Sequence, residues 1–225
     1  MHPVDSPPGD EALSELLDTY APLTPVPLCP EISAFRARSL VEIWEAAERL
    51  AGGTLPAPFW AFPWAAGQAL ARVILDKPEH VHARCVLDFG AGGGVSALAC
   101  ARAGAARVVA NDMDAWALAV TRIAAARQGL CVDTLLADLT TCVERVEGCD
   151  VILCCDLNYD RSAAPRERAV LDAARVNGSR VFVADAGRTY FDASDLELLA
   201  SFDVPVPRDL EGCEVRTARV YAGRS

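Results

Sequence analysis

The stretch Val86-Leu87-Asp88-Phe89-Gly90-Ala91-Gly92-Gly93-Gly94 decides how this chain folds. Its apolar beginning predicts a buried β-strand, and the apolar pattern that follows from Ser96 predicts a helix directly after the glycines. Glycine is needed where the backbone turns tightly between a strand and a helix and where a ligand touches the main chain. The stretch therefore predicts a strand, a ligand-binding loop and a helix, with a purely structural glycine turn as the alternative.

The polarity of this loop indicates which ligand it suits. Val95 stands where a dinucleotide-binding fingerprint has its third glycine, and Asp88 lies beside the loop. A carboxylate at this place repels a diphosphate and attracts an ammonium group. The loop thus favours a cationic nucleoside, and S-adenosylmethionine, with its α-amino group and its sulfonium, fits that description.

Outward from the loop, the chain alternates short apolar runs with helical patterns, which indicates parallel strands covered by helices on both faces. The tail reads as an antiparallel hairpin of Phe202–Val206 and Cys213–Tyr221. We therefore predict an α/β fold, Rossmann-like, with a mostly parallel sheet and a C-terminal antiparallel hairpin. The five apolar runs are Cys85–Phe89, Arg107–Ala110, Thr134–Ala137, Val151–Cys155 and Val181–Ala184.

The N-terminal part differs in amino-acid composition from the rest of the chain. Seven of the 14 prolines lie within the first 30 residues, which predicts an extended arm with at most a short amphipathic turn at Leu13–Leu17. Helical spacing of apolar residues predicts a helix over Ser33–Leu50 that ends at Gly52-Gly53. The predicted division is an N-terminal arm and helix over 1–57 and the α/β domain over 58–225.

Acidic residues follow the next two predicted strands. Asp112 comes about 20 residues after the glycine loop, where a carboxylate can accept hydrogen bonds from ribose hydroxyls. Asp114 is better explained as the N-cap of a helix over Ala115–Ala126. Asp138 follows the third strand, where an acid can accept a hydrogen bond from an adenine amino group.

Two further segments are candidates for substrate contact. The fourth strand ends in Asp156-Leu157-Asn158-Tyr159-Asp160, and ligands of open α/β sheets bind outside the carboxyl ends of the strands. An Asx turn that leads into the following helix is the alternative. Trp60, Phe62 and Trp64 alternate before a predicted helix over about Ala65–Leu75, and they fit either a strand that packs on the core or an aromatic lid.

The amino-acid composition limits which partners, metals and cellular locations can be expected for this protein. The formal net charge is −10, and no stretch gathers arginines densely, which argues against nucleic acid; solubility alone also explains the charge. Nine cysteines without a C-x-x-C motif indicate a reducing compartment, and no zinc-like spacing predicts a metal. No apolar run is long enough for a membrane span, and the N-terminus reads as neither a signal nor a transit peptide. We expect a monomer in the bacterial cytoplasm.

Four segments in order resemble the class I, seven-strand methyltransferases that use S-adenosylmethionine, and more narrowly the family 16 protein-lysine methyltransferases. The resemblance covers nearly the whole chain from about residue 28 and also includes Leu28–Ile32 and Val183–Arg188. The four segments are Phe59–Leu70, the glycine loop, Ala110-Asn111-Asp112 and Asp156-Leu157-Asn158-Tyr159.

The resemblance implies a protein-lysine substrate, with the β subunit of electron transfer flavoprotein or another bacterial protein, such as a ribosomal protein, as the candidates. It implies Asp156 and Tyr159, with Asn158 between them, at the methyl-acceptor mouth. Asn158 stands where the family usually has an aromatic residue, and Ala65-Ala66 replaces a usual Pro-Gly. The cofactor contacts that it implies are Trp64, Asp88, Gly90, Gly92, Asp112 and Asp138.

The implied reaction is attack of a neutral lysine amine on the sulfonium methyl group, without a metal. We assign Asp156 to capture and orientation of the lysine and not to proton abstraction, because a carboxylate stabilises the ammonium form. The alternatives are a small-molecule methyltransferase with a closed cavity and a catalytically silent binding module. A nicotinamide oxidoreductase is disfavoured by Asp88 and Val95.

Overall fold

A computed structural model of the chain describes residues 6–142, 146, 148–157 and 160–223. No helix in these ranges has the length and apolar character needed to span a membrane. The helices are α1 (Asp10–Tyr20), α2 (Leu40–Ala51), α3 (Ala65–Asp76), α4 (Val95–Arg102), α5 (Ala115–Arg127), α6 (Ala164–Val176) and α7 (Arg208–Glu211). The strands are β1 (Leu23–Val26), β2 (Cys29–Phe35), β3 (Cys85–Phe89), β4 (Arg107–Asp112), β5 (Asp133–Leu136), β6 (Val151–Cys155), β7 (Arg180–Asp185), β8 (Leu196–Pro205) and β9 (Val215–Gly223).

A seven-stranded sheet in the order β5-β4-β3-β6-β7-β9-β8 forms the centre of the fold. Strands β3 to β7 run parallel to one another, and β9 pairs antiparallel with both β7 and β8. The predicted α/β fold with a C-terminal hairpin is therefore confirmed. The hairpin is longer than predicted, since β8 already begins at Leu196.

Both faces of the central strands are buried, which is why these strands read as continuous apolar runs. On one face, Val86, Leu153 and Phe182 join the core that also contains α3 and α4. On the other face, Leu87 and Ile152 pack in a second core with residues of α6.

Residues 6–35 do not form the extended arm that the prolines predict. They form α1 and a two-stranded antiparallel sheet of β1 and β2, and Leu13, Leu17 and Phe35 are buried in the main core. Among the described residues, Pro7 and Pro8 come just before α1, and Pro22 follows it. The remaining prolines lie in β1, in β2 or in the turn between them, positions that tolerate a missing N–H. These prolines thus flank regular elements or lie within them, and they do not mark an extended arm.

The predicted helix over Ser33–Leu50 is wrong at its beginning. Ser33 to Phe35 belong to β2, and the helix begins only after Ser39, whose hydroxyl accepts a hydrogen bond from the Glu42 N–H. Its end is as predicted, because Gly52 takes up a left-handed conformation with φ of 71°.

The aromatic segment that contains Trp60, Phe62 and Trp64 forms a 3-10 turn over Phe59–Ala61. The alternative that this segment is a strand is therefore wrong.

The turn between β3 and α4 brings the main chain very close to the N-terminal aromatic segment. A Cβ placed on Gly93 would lie 2.5 Å from the carbonyl oxygen of Trp60, a backbone atom that cannot rotate away. Glycine is therefore required at position 93 for packing. Gly67 in α3 is different, since a Cβ there would make an ordinary contact of 3.8 Å with Val95.

We predict that Gly93→Ala lowers the melting temperature by about 3 to 10 °C, because overpacking of this kind costs about 1–3 kcal/mol in a chain of this size. Gly67→Ala serves as the matched control and should leave the melting temperature unchanged or slightly raised, since alanine favours helix. Thermal unfolding followed by circular dichroism measures both variants. Equal melting temperatures for Gly93→Ala and the unmodified chain would contradict the assigned contact.

Candidate functional site

An acidic residue lies at or just beyond the carboxyl end of each of the five parallel strands. The carboxyl ends of parallel strands meet at one edge of a sheet, where open α/β proteins bind their ligands. This edge is therefore the candidate site. Its acids are Asp88 on β3, Asp112 on β4, Asp138 after β5, Asp156 after β6 and Asp185 on β7.

Asp88 is completely buried below the glycine loop. Its Oδ2 accepts hydrogen bonds from the Ser96 hydroxyl at 2.7 Å and from the Ala97 N–H at 3.0 Å, both in the first turn of α4. Its Oδ1 is buried without a hydrogen-bond partner among the described residues. Burial raises the pKa of Asp88 to about 6, so this carboxyl gains from a positive charge placed nearby. A direct contact of Asp88 with a cofactor stays a prediction.

Asp112 and the glycine loop, predicted separately, are in direct contact. Its Oδ2 accepts a hydrogen bond from the Gly92 N–H at 2.8 Å, and its Oδ1 accepts one from the Asp114 N–H at 3.0 Å. Burial raises the pKa of Asp112 as well. The cap predicted at Asp114 is confirmed, because its Oδ1 accepts from the Trp116 N–H at the start of α5.

The loop itself is open toward the crevice at one point. Gly90 and Gly92 have φ angles of 72° and 52°, in the left-handed region that glycine tolerates. A Cβ on Gly92 would meet no atom within 4 Å, whereas a Cβ on Gly90 would lie 2.9 Å from a methyl carbon of Leu157. The Thr121 hydroxyl donates to the Gly92 carbonyl and fixes the loop from behind. A ligand can therefore reach the main chain at Gly92.

The end of β5 completes one side of the crevice. Asp138 is half-buried, and its Oδ1 accepts hydrogen bonds from the N–H and the hydroxyl of Thr140. Asn111 is buried and donates from Nδ2 to two carbonyl oxygens, those of Leu135 and Ala137, so it positions the segment before Asp138. A contact of Asp138 with an adenine amino group stays a prediction.

Met113 was not predicted as a site residue, although it follows Asp112 directly. Its side chain is 70% exposed, which is unusual for a large apolar residue that comes directly after a buried strand. Leu136, which is paired with Asp112 in the sheet, is also exposed. Both exposed side chains lie beside Asp112, one directly after it in the chain and one opposite it on the neighbouring strand. In the sequence, Met113 is recognisable only as an apolar residue between two acids, Asp112 and Asp114.

Asp156 forms the mouth of the crevice. Its backbone has a φ of 51°, which is strained for a residue other than glycine. Its Oδ1 accepts a hydrogen bond from Arg188 Nε at 2.9 Å, and its Oδ2 accepts one from the Ala66 N–H at the beginning of α3 at 3.3 Å. Burial raises the pKa of Asp156, and the Arg188 guanidinium acts in the opposite direction.

Arg188 is the functional candidate that sequence reasoning missed. Asp185 places it, since Asp185 Oδ1 accepts from the N–H groups of both Gly187 and Arg188. The Arg188 guanidinium lies over the Trp64 ring, 5.8 Å from its centroid. Arg188 therefore connects Trp64 and Asp156, two residues that were predicted as site members.

Trp64 is half-exposed, and its indole N–H donates to the Phe59 carbonyl at 2.8 Å. Trp60 and Phe62, by contrast, are buried, and Trp60 stacks on Trp116 with centroids 6.2 Å apart. Asn158 and Tyr159, also predicted for the mouth, lie outside the described residues. No group of three or more His, Cys, Asp and Glu side chains within the described ranges is arranged to bind a metal.

The site therefore combines buried carboxylates whose pKa values are raised, a main chain open at Gly92 and two exposed apolar side chains beside Asp112. Carboxylates desolvated in this way are stabilised in their charged form by a cation. A ligand with positive charge and a purine nucleoside fits these features better than a dinucleotide diphosphate.

Comparisons with known proteins agree with a site for a cationic nucleoside. Residues 86–178 match a family model described as a methyltransferase domain. The chain is 33% identical over 206 residues to the electron transfer flavoprotein beta subunit lysine methyltransferase of Danio rerio, covering 87% of this chain and 77% of the relative. The relative of the same name from Rattus norvegicus is 32% identical over 73% of this chain and 66% of its own length.

The fold also resembles solved methyltransferase structures. Magnesium protoporphyrin IX methyltransferase from Synechocystis, solved with bound S-adenosylmethionine, superimposes with a TM-score of 0.52 over 71% of this chain and 78% of the other, at 14% identity. The cofactor of this chain is S-adenosylmethionine, and the buried strand-end acids and the open loop fit it. The chain belongs to the family of electron transfer flavoprotein β subunit lysine methyltransferases, enzymes of the class I methyltransferase fold.

Proposed function

We propose that this protein methylates lysine side chains of the electron transfer flavoprotein β subunit. The observation that carries the proposal is the mouth of the crevice, where Asp156, Arg188 and Trp64 lie together in front of the glycine loop. A carboxylate and an aromatic ring side by side suit a lysine, because one pairs with its nitrogen and the other packs on its methylene stem. The substrate protein is inferred from the names of the relatives.

The cofactor would be bound by residues already described. The main chain at Gly92, where the loop is open, would contact it directly. Asp112 would accept hydrogen bonds from the ribose hydroxyls, and Asp138 would accept one from the adenine amino group. Met113 would pack on the purine ring. Asp88 would act on the positive charges through its electric field, because its side chain is completely buried.

S-adenosylmethionine, when bound, supplies an electrophilic methyl group for an in-line displacement by the lysine nitrogen. The protein must therefore present the lysine as a neutral amine. A free lysine has a pKa near 10.4, so neutralising it at pH 7.4 costs about 4 kcal/mol. An uncompensated carboxylate at the mouth would add to this cost, because it stabilises the ammonium form.

The Arg188 guanidinium offsets that effect. It occupies Oδ1 of Asp156, and the positive end of α3 at Ala66 faces Oδ2. Asp156 can then orient the lysine without binding its charged form strongly. We propose orientation for Asp156 and charge compensation for Arg188, with water as the acceptor of the proton.

All nine cysteines are free thiols, which supports a reducing compartment such as the bacterial cytoplasm. We propose that location together with the protein substrate.

The proposed substrate is tested by incubating the enzyme with the electron transfer flavoprotein β subunit of the source organism and S-adenosylmethionine labelled in its methyl group. Mass spectrometry should locate the label on lysine, and replacing that lysine by arginine should abolish the labelling. Label on a small molecule of the cell extract, with none on this subunit, would contradict the proposal.

Asp156→Asn should lower kcat/KM for the protein substrate about 10- to 100-fold, since a hydrogen bond to a charged group contributes about 1.5–3 kcal/mol. Affinity for S-adenosylmethionine, measured by calorimetry, should change little. A higher turnover at saturating substrate would show that Asp156 opposes the reaction.

Arg188→Gln should lower kcat near pH 7 about tenfold, and the loss should disappear at higher pH. The reason is that Asp156 without its counter-ion raises the pKa of the bound lysine, and one pKa unit corresponds to about 1.4 kcal/mol. Arg188→Lys keeps the positive charge and should restore the unmodified pH profile. A loss of kcat that is equal at all pH values would contradict charge compensation.

The affinity for S-adenosylmethionine should increase up to about tenfold between pH 5 and pH 7. The Asp88 carboxyl, with a pKa of about 6, is mostly neutral at pH 5 and mostly charged at pH 7, and only the charged form attracts the cationic ligand. Calorimetry across this range tests the prediction. Asp88→Asn should remove most of the pH dependence, and an unchanged dependence in that variant would assign it to another acid.

A further inference from the structure

The connection between β7 and β8 leaves part of the sheet without a helical cover. It spans residues 186–195, all of which are described, and it contains no helix. The opposite face of β7, β8 and β9 is covered by α3. On the open side, α6 packs against β7 and forms one wall of a groove.

This groove, which we call the α6 groove, has a volume of about 430 Å³. That volume lies within the range of sites that bind ligands or side chains, about 300–1,000 Å³. Its floor is apolar and consists of Leu171 from α6 and Val181 and Val183 from β7. Its outer wall is aromatic: Tyr190 is 42% exposed, and Phe191 packs on Tyr221 with ring centroids 5.4 Å apart.

Arginines line the same groove, although the chain as a whole carries a net charge of −10. Arg168 and Arg175 both donate to Asp195 and are thereby fixed at one end. Arg161 is exposed and precedes α6. Asp192 lines the groove as well, and Arg168 and Arg175 are paired with Asp195, so it is the exposed Arg161 that can attract a carboxylate of a partner.

Chain connectivity places the α6 groove near the mouth of the crevice. Tyr190 follows Arg188, the partner of Asp156, by two residues, and two residues of extended chain span at most about 7 Å. Arg161, which also lines the groove, follows Asp156 by five residues in the sequence. A polypeptide whose lysine lies at the mouth therefore has only a short distance to cover before it reaches the groove.

We propose that the α6 groove docks the segment of the protein substrate that flanks the target lysine. An apolar or aromatic side chain of that segment fills the floor, and an acidic side chain next to it pairs with Arg161. The proposal rests on the proposed function, and it adds a recognition surface outside the crevice. Binding energy gained there lowers KM for an intact protein substrate without contributing to the chemical step.

Two variants test the groove without touching the mouth, with the electron transfer flavoprotein β subunit as the probe. Arg161→Glu should raise KM for this subunit about tenfold, and Tyr190→Ala should raise it about fivefold, with kcat within twofold of the unmodified enzyme. The matched controls are Arg166→Glu, an exposed arginine of α6 that does not line the groove, and Tyr190→Phe, which keeps the ring. Both should behave like the unmodified enzyme.

Hydrogen exchange gives an independent measurement. Addition of the subunit should protect the amides of residues 186–195 in the unmodified enzyme, and the protection should be reduced in Arg161→Glu at the same concentration. If the unmodified enzyme methylates the subunit while both variants keep their KM and residues 186–195 stay unprotected, the docking proposal is wrong and the function stands. If the unmodified enzyme does not methylate the subunit, the proposed function is wrong, and the docking proposal is rejected with it.

Discussion

The buried carboxylate of Asp88 is the constraint on which the site depends. It joins the end of β3 to the first turn of α4 through Ser96 and Ala97, and so it fixes both ends of the glycine loop. A buried charge costs free energy, and two hydrogen bonds to one oxygen offset only part of that cost. The other carboxylate oxygen, Oδ1, stays unpaired. The carboxylate that connects β3 to α4 therefore also gives the site affinity for a cation, which explains why an acid stands at this position.

Charge is balanced differently at the mouth. Within the described part of the chain, Asp88, Asp112 and Asp138 accept hydrogen bonds from main-chain N–H and hydroxyl groups and from no arginine, whereas Asp156 is paired with Arg188 and faces the positive end of α3. The crevice therefore suits a permanent cation such as a sulfonium. The mouth suits a nitrogen that has to lose its proton before it reacts. The two environments lie at the ends of the adjacent strands β3 and β6. This difference in charge balance is what a lysine methyltransferase requires.

The local patterns of the sequence predict most of this fold. The bounds of β3 and β6 match their apolar runs, and Asp114 caps α5 as its position suggests. The N-terminal helix and hairpin could not be predicted from proline content, because their stability comes from burial against distant residues. Arg188 escaped detection for the same reason, since its contact with Asp156 spans 32 positions and depends on how two strands lie side by side. The spacing of apolar residues predicts helices and strands, but it does not predict which side chains of different elements come into contact.

The integration of the N-terminal elements has a practical consequence for this enzyme. Leu17 and Phe35 are buried against the domain, and Gln128 of the α5 terminus exchanges hydrogen bonds with the backbone of Ser33. A shortened chain that began near residue 58 would present this apolar surface to water, and such surfaces associate with one another. The segment that carries the methyltransferase signature is thus smaller than the unit that buries its apolar surface, and a partner fused on the N-terminal side has to be joined ahead of α1.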